Sequence, residues 1–145
     1  LNKEFVSAND LKKVDYKVDL SFLYTDSLYQ KPQVDLTRGK HVLFCFSMSC
    51  PHCRLCAIKI GIMKKQNPEL PFYVFLNGDK VKINPFIKDT KMDLIDYNLV
   101  LGQRFISISG FNLPTVLFID NSTVKKKIHY PDLTNDMVMD WVNHK

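Results

Sequence analysis

The sequence has little of what marks fibrous, low-complexity or disulfide-stapled proteins. It contains five glycines, seven prolines and four cysteines in 145 residues, and no stretch repeats. Such low contents of glycine and proline exclude a collagen-like or a disordered chain. Four cysteines are also too few to form a dense disulfide scaffold. Because 46% of the residues are hydrophobic, the chain is instead predicted to form one compact domain with a real core.

Long hydrophobic runs are also absent. The longest, such as Val42 to Phe46 and Val116 to Ile119, fall far short of the roughly 20 residues needed to cross a bilayer. The sequence therefore predicts no membrane-spanning helix. It begins at Leu1 rather than at a methionine, so we expect a trimmed or mature form, which leaves room upstream for a signal peptide, a lipid anchor or a membrane segment.

The charge of the chain is not concentrated in one place. A net charge of +5 is spread along the sequence, and the longest run of like charge is Lys125-Lys126-Lys127. The basic and aromatic modules that bind nucleic acid are missing. We therefore expect a lysine-rich, solvated surface and no nucleic-acid partner.

Hydrophobic periodicity in the first half predicts a β-α-β unit. The segment "HVLFCFS" (41–47) is typical of a central strand covered on both faces, and "PFYVFLNG" (71–78) of a second buried strand. Between them a helix is predicted from Pro51 to Gln66, ended by Asn67-Pro68. An earlier strand is predicted from Lys17, where apolar residues alternate: Val18, Leu20, Phe22 and Tyr24. Residues 1–16 are expected to be a lead-in, and residues 17–145 the domain.

The second half predicts a hairpin and a closing helix. Residues 84–106 contain helical fragments, of which the better one begins at Tyr97. Strands at 115–120 and 123–130 are expected to pair as an antiparallel hairpin. The final helix has Thr134 or Asn135 as its N-cap, and its apolar residues are Met137, Val138, Trp141 and Val142.

The stretch "SCPHCRLC" (49–56) carries three of the four cysteines. Cys50 is predicted at the start of the helix, where free N–H groups and the helix dipole favour the thiolate. Pro51 suits the first turn. His52 can strengthen the effect by charge or by a hydrogen bond if its ring faces the sulfur, and is otherwise a solvent-exposed histidine without influence. Cys50 is thus predicted to be a nucleophile.

Cys53 lies one turn further along and begins the apolar face of the helix, which continues through Cys56, Ala57, Ile60 and Met63. It is close enough to form a disulfide with Cys50, which makes Cys53 the resolving thiol; a structural disulfide or two inert thiols remain the alternative. Cys56 is expected to be a small buried hydrophobe, with a spare redox or metal role left open, and Cys45 to belong to the core.

Metal binding is the competing interpretation of these cysteines. The spacing C-x₂-C-x₂-C resembles the start of an iron–sulfur run, but the continuation x₃-C-P is replaced here by Ile60 and Gly61. A zinc site would need a fourth ligand from far away, such as His129 or His144. No metal and no cofactor is therefore predicted.

These segments together resemble the thioredoxin superfamily, and most of all the TlpA/ResA-like thiol-disulfide oxidoreductases. The resemblance rests on the strand before Cys50-Pro51-His52-Cys53, the helix after it and the later "GFNLPTVLFIDN". It implies an α/β thioredoxin-like fold, with a central mixed β-sheet flanked by helices and a βα insertion before a cis-proline. That proline would be Pro114, with Leu113 and Thr115 beside it as substrate-binding residues; an ordinary trans proline is the alternative.

The same resemblance implies an extracytoplasmic or periplasmic enzyme. Its partners would be cysteine-containing protein substrates and a redox partner protein, and a monomer is expected. The Pro-His dipeptide is that of DsbA-like oxidants, whereas the TlpA-like features of the chain favour reduction. The direction of disulfide exchange therefore stays open. Two positions depart from the family: Phe44 replaces its buried acid, and Ser49 its usual tryptophan. The alternative function is a binding module of a larger membrane-attached protein, with metal-binding or non-catalytic cysteines.

Overall fold

The structure, a computed structural model, describes residues 13–144. The strands are β1 (Lys13–Lys17), β2 (Lys40–Ser47), β3 (Phe72–Asn77), β4 (Asp96–Leu99), β5 (Thr115–Asp120) and β6 (Thr123–Ile128). The α-helices are α1 (Phe22–Thr25), α2 (Pro51–Gln66), α3 (Ile83–Thr90), α4 (Gly102–Ser109) and α5 (Asn135–Asn143), with 3₁₀ turns at Lys80–Lys82 and Tyr130–Asp132.

The strands form one mixed sheet in the order β1-β6-β5-β2-β3-β4. β2, β3 and β4 are parallel, while β5 is antiparallel to β2 and to β6. The predicted β-α-β unit and the C-terminal hairpin are therefore confirmed. Because Cys45 pairs with Thr115, the end of β2 and the start of β5 lie at the same edge of the sheet, which is also where α2 begins.

Strand β2 is covered on both faces, as its continuous apolar sequence predicts. Alternate residues point to opposite sides of a strand, and those of β2 enter two separate hydrophobic clusters. The first cluster joins the sheet to α2, α3 and α5 and includes Val42, Phe44, Phe46, Phe86 and Trp141. The second cluster covers the other face and includes Leu43, Cys45, Phe22, Leu23, Phe105 and Ile108. The fold is thus a helix-sheet-helix sandwich.

Helix α2 has the predicted bounds. Pro51 occupies its first turn, and Asn67 ends it in an extended conformation. Beyond that end, the Lys64 ammonium group donates to the carbonyl oxygens of Pro68 and Leu70, each 2.7 Å away. The helix buries the predicted face against the sheet: Cys53, Cys56, Ala57, Ile60 and Met63.

Gly61 allows α2 to approach the end of α3 closely. A Cβ atom on Gly61 would lie 2.7 Å from the backbone oxygen of Lys91, too close for any real contact. Gly61→Ala is therefore expected to lower the free energy of unfolding by about 1–2 kcal/mol, although alanine normally stabilises a helix interior by about 1 kcal/mol relative to glycine. Urea denaturation measures the change. Lys65→Ala, an exposed change on the same helix, should stay within about 0.5 kcal/mol; a stabilised Gly61→Ala would contradict the close contact.

The strand predicted from Lys17 to Tyr24 is wrong. The extended segment is β1, which ends at Lys17, and α1 begins five residues later. The Asp19 carboxylate accepts from the backbone N–H and the hydroxyl of Ser21 and so turns the chain. Phe22 and Leu23 then both enter the second cluster, which successive residues of a strand cannot do.

The helix predicted from Tyr97 is also corrected. Residues 96–99 form β4, a parallel neighbour of β3, and the helix α4 begins only at Gly102. Asn98 is buried, accepts from the Tyr73 hydroxyl at 2.5 Å and donates to the Gln30 carbonyl oxygen at 2.8 Å. Sheet pairing and this buried bond outweigh the local helical pattern. The insertion before Pro114 consists of α3, β4 and α4.

The chain ends in the predicted helix. The Thr134 hydroxyl accepts from the backbone N–H of Met137 at 3.1 Å, which identifies Thr134 rather than Asn135 as the N-cap. Val138 and Trp141 are buried in the first cluster. The predicted lead-in lies mostly outside the described residues, and β1 crosses its boundary at residue 17, so the division into residues 1–16 and 17–145 stays a prediction.

Candidate active site

Cys50 is the N-cap of α2. Its backbone is extended (φ −89°, ψ 120°), and its sulfur accepts from the backbone N–H of Cys53 at 3.4 Å. An N-cap side chain lies where the unpaired N–H groups of the first turn converge. Cys50 is partly exposed and borders the first cluster. The Cys50 sulfur therefore lies beside N–H groups of the first turn and is accessible to another protein.

Cys53 lies beneath Cys50 and is fully buried. Burial raises the pKa of the Cys53 thiol, and the hydrogen bond and charge of Cys50 raise it further; the backbone N–H of Ser47, 3.4 Å from the Cys53 sulfur, acts in the opposite direction. All four cysteines are free thiols. The two sulfurs thus differ in burial, since Cys50 is partly exposed and Cys53 is fully buried.

The flanks of this pair are formed by the N-terminal turn of α2 and the turn after β6. His52 is exposed, and its ring centroid lies 6.4 Å from that of Tyr130. Lys59 donates to the carbonyl oxygens of Tyr130 and Pro131 at 3.0 and 3.2 Å and so ties this turn to α2. Within residues 13–144 no hydrogen bond joins His52 to Cys50, so any influence of His52 on the sulfur is through its charge.

Leu113 and Pro114 lie at the same edge of the sheet as Cys50. Their peptide bond is cis, and both residues are half-buried directly before β5. The Thr115 side chain, in contrast, is buried, and its hydroxyl lies 2.8 Å from the carbonyl oxygens of Ser109 and Asn112. Of the three predicted substrate-binding residues, Leu113 and Pro114 are thus reachable from outside, whereas the Thr115 side chain braces the loop.

The described residues around the cysteines do not form a cluster of metal ligands. In that part of the chain, no three His, Cys, Asp or Glu side chains are placed to hold one metal ion. A cavity of about 450 Å³ lies elsewhere, between β4 and residues 28–33, and no cysteine lines it. Cys50 is thus partly exposed outside this cavity.

Two features of the site were missed by sequence reasoning. The Ser47 contact to Cys53 uses a backbone N–H, which every residue type except proline has, so no sequence signal could have revealed it. Tyr130 was recognised only as part of a predicted strand, because the contact between residues 52 and 130 depends on the folding of the whole chain. The burial of Cys45 and Cys56, by contrast, is as predicted.

The buried thiols make a prediction about stability at alkaline pH. Burial raises the pKa of Cys45, and raises that of Cys56 from its usual 9.0 to about 12. As the pH rises, these thiols ionise in the unfolded chain before they ionise in the folded protein. The contribution of the protonated thiols to the free energy of unfolding is therefore complete below about pH 9 and is lost above it. In that range each thiol is expected to lower the free energy of unfolding by up to about 1.4 kcal/mol per pH unit.

Urea denaturation of the reduced protein between pH 7.5 and pH 10.5 tests this expectation. Removing one buried thiol with Cys56→Ala should make the alkaline decline shallower, since one fewer group ionises on unfolding. Equal slopes for the variant and the wild type would contradict the assigned burial of this thiol.

The sequence matches no protein-family model and no curated protein, but several solved structures share its fold. A secreted Mycobacterium tuberculosis disulfide oxidoreductase homologous to E. coli DsbE has a TM-score of 0.54 and 15% identity, over 72% of this chain and 80% of that one. The thioredoxin domain of a Bacteroides vulgatus thiol-disulfide oxidoreductase has a TM-score of 0.56 and 16% identity, over 91% and 96%. StoA from Bacillus subtilis has a TM-score of 0.50 and 17% identity, over 71% and 81%. This chain therefore has the thioredoxin-like fold of known thiol-disulfide oxidoreductases, with a Cys50–Cys53 C-x-x-C pair where α2 begins.

Proposed function

We propose that this protein is a thiol-disulfide oxidoreductase that exchanges disulfides with protein substrates through a mixed disulfide at Cys50, which Cys53 resolves. The observation that carries the proposal is the position of the Cys50 sulfur at the N-cap of α2, 3.4 Å from the backbone nitrogen of Cys53. An accessible thiol above a buried one, on a thioredoxin-like fold, is the arrangement that dithiol exchange requires.

In the reductive direction, the Cys50 thiolate attacks one sulfur of a substrate disulfide. A mixed disulfide forms, and the other substrate sulfur leaves as a thiolate. Cys53 then loses its proton and attacks the Cys50 sulfur, which releases the second substrate thiol and leaves a Cys50–Cys53 disulfide. Two electrons pass to the substrate. Oxidation of a substrate dithiol is the same sequence reversed.

The proton of Cys53 needs an acceptor other than a buried acid. Phe44 is fully buried in β2, and no carboxylate of the described residues contributes to the raised pKa of Cys53. The departing substrate thiolate, or water reaching the partly exposed Cys50, receives this proton.

We further propose roles for the residues around the pair. Pro51 would favour the Cys50 thiolate indirectly, because its fixed φ angle suits the first turn of α2 and so holds the free N–H groups of that turn in place, and His52 would favour it by positive charge when protonated. Leu113 and Pro114 would contact the substrate backbone beside Cys50, with Thr115 holding their loop. The partly exposed Cys50 sulfur, which lies outside the cavity between β4 and residues 28–33, suits a protein substrate better than a small molecule.

We propose an extracytoplasmic location, because the Mycobacterium tuberculosis protein of this fold is a secreted one and persistent disulfide chemistry belongs to oxidising compartments. Among residues 13–144, no helix is both long and apolar enough to cross a bilayer. A redox partner protein is required to restore Cys50 and Cys53 after each cycle.

Equilibration with glutathione tests the proposed function. After incubation in buffers of graded glutathione ratio, free thiols are alkylated and the protein is analysed by peptide mass spectrometry. We expect a single two-electron transition that joins Cys50 to Cys53, and the same transition in Cys56→Ala. The midpoint of this transition on the glutathione scale gives the reduction potential of the Cys50–Cys53 pair, which shows whether the protein acts as a reductant or as an oxidant. A protein that forms no such disulfide would contradict the proposal and favour a binding module.

A further inference from the structure

Helix α2 carries a second apolar face that points away from the core. Pro51, Leu55, Ile58 and Ile62 follow the spacing i, i+4, i+7, i+11 and form one line along the helix. All four are exposed; the exposed fractions of Leu55, Ile58 and Ile62 are 53%, 40% and 54%. We call this line the α2 stripe. It is about 16 Å long, at a rise of 1.5 Å per residue.

The fold itself does not require the α2 stripe. The opposite face of α2 already supplies the core contacts, through buried residues such as Cys56 and Ile60. A surface helix normally has polar side chains on its outer face, because apolar groups there gain nothing from folding. A regular apolar line on the solvent side is therefore a surface prepared for contact with another molecule.

The α2 stripe leads directly to the proposed nucleophile. Pro51, its first member, is the residue after Cys50, and the Cys50 sulfur lies at the same end of the helix. A protein that forms a mixed disulfide at Cys50 must cover this end. Its surface can then continue along Leu55 and Ile58 without a gap, so that the stripe and the sulfur form one contact area.

The charge around the α2 stripe favours an acidic partner. Helix α2 carries four basic residues and no acidic one, which suits an acidic rim on the bound molecule: Arg54, Lys59, Lys64 and Lys65. Lys59 and Lys64 donate to backbone carbonyl oxygens, and the Arg54 guanidinium lies over the Phe86 ring, 3.9 Å from an Asp89 oxygen, so these three cations lie close to the helix. The position of the Cys50 sulfur at the end of the stripe then favours a protein, because a lipid surface has no disulfide to exchange with it.

The size of the α2 stripe favours a transient contact. Three aliphatic side chains, each about half exposed, offer on the order of 200 Å² of apolar surface. A standard stable interface buries about 800 Å² on each partner. A second copy of this chain held by the stripe alone would therefore dissociate, whereas a redox partner must be released after every exchange and needs only a brief contact.

We propose that the α2 stripe is the docking surface for a redox partner protein, which lays an apolar, acid-flanked helix along α2 and brings its own cysteine to Cys50. The proposal rests on the proposed function and adds the kind of partner and its orientation. The bound helix covers Leu55, Ile58 and Ile62, while its cysteine reaches the sulfur beyond Pro51.

A synthetic peptide can imitate such a partner. The probe is an amphipathic helical peptide with leucines on one face, glutamates beside them and one terminal cysteine, supplied as its mixed disulfide with thionitrobenzoate. A peptide of the same composition in scrambled order is the comparison. Release of thionitrobenzoate reports attack by Cys50. We expect the wild type to react about tenfold faster with the amphipathic peptide, equal to 1.4 kcal/mol of docking contact.

The variant Leu55→Gln/Ile62→Gln is expected to lose this preference. Its matched control is Leu28→Gln/Leu101→Gln, which removes two exposed leucines far along the chain from α2; Leu101 is 51% exposed and precedes α4, on the other side of the sheet. The control should keep the preference. Both variants should react at wild-type rate with the small disulfide 5,5′-dithiobis(2-nitrobenzoate), which needs no docking.

The remaining outcomes each overturn the docking proposal. They are equal rates for the two peptides, a preference that survives in Leu55→Gln/Ile62→Gln, stripe-dependent binding to phosphatidylcholine–phosphatidylglycerol vesicles without peptide preference, and a stripe-dependent dimer in sedimentation. Failure of the proposed function looks different: Cys50 would then react with the small disulfide no faster than a free cysteine, whatever the peptide result.

Discussion

Replacing Cys50 with serine is expected to reduce the catalysed reduction of insulin to the rate measured without protein. A serine oxygen cannot form the mixed disulfide through which all electrons pass, so no slower version of the same route remains. The partly exposed Cys50 is the thiol at the helix N-cap, whereas the other three thiols are buried. Insulin precipitation at pH 7 with dithiothreitol as electron donor measures the loss.

Cys56→Ala is the matched control for this substitution. Cys56 lies on the same helix, but its side chain is fully buried and burial raises its pKa to about 12. The Cys56→Ala variant should therefore reduce insulin at close to the wild-type rate. If Cys50→Ser reduced insulin at the wild-type rate, Cys50 would not take part in the reaction, and the proposed function would be contradicted.

Replacing Cys53 with alanine is expected to preserve the first step and to trap the mixed disulfide. Cys50 keeps its place at the N-cap, because Cys53 contributes to it through a backbone N–H that alanine also has. The mixed disulfide at Cys50 can then be resolved only by a thiol from solution, because the neighbouring Cys53 thiol is missing. We expect the mixed disulfide to live at least about a hundredfold longer, which non-reducing electrophoresis with a cysteine-containing peptide disulfide measures.

The trapped species must be reducible and must require Cys50. A Cys50→Ser/Cys53→Ala double variant should form none, and Cys53→Ala should lower the free energy of unfolding in urea by only about 1 kcal/mol, because it removes one buried sulfur from the first cluster. Rapid release of the attached peptide by Cys53→Ala would show that another group resolves the disulfide. Cys56, the nearest thiol on the buried face of α2, would then be the residue to replace next.

Local patterns were sufficient for the part of the chain that forms the site. β2 is a continuous apolar run, α2 has proline in its first turn and Asn67-Pro68 after its end, and both appear with nearly the predicted bounds. Their order places Cys50 at a strand-to-helix junction whatever the remaining strands do. This is why an N-cap thiol with a buried thiol one turn later could be expected from sequence alone.

The edges of the fold could not be predicted in this way. Residues 17–24 alternate like a strand, but Asp19 turns the chain and α1 follows. Residues 97–99 belong to β4 because β3 is available to pair with them. At residues 17–24 local side-chain hydrogen bonds overrule the alternating pattern, whereas at residues 97–99 pairing with a strand distant in the sequence outweighs a weak local preference.

The sequence by itself determined that two thiols stand one turn apart at the start of a helix, since that follows from the strand before them, the proline between them and the periodicity after them. Only the tertiary structure decided that a second apolar line of α2, formed by Leu55, Ile58 and Ile62, stays exposed to solvent while the predicted face meets the sheet. The physical reason is that hydrophobic spacing identifies the apolar faces of a helix, whereas their burial depends on where other parts of the chain come to lie.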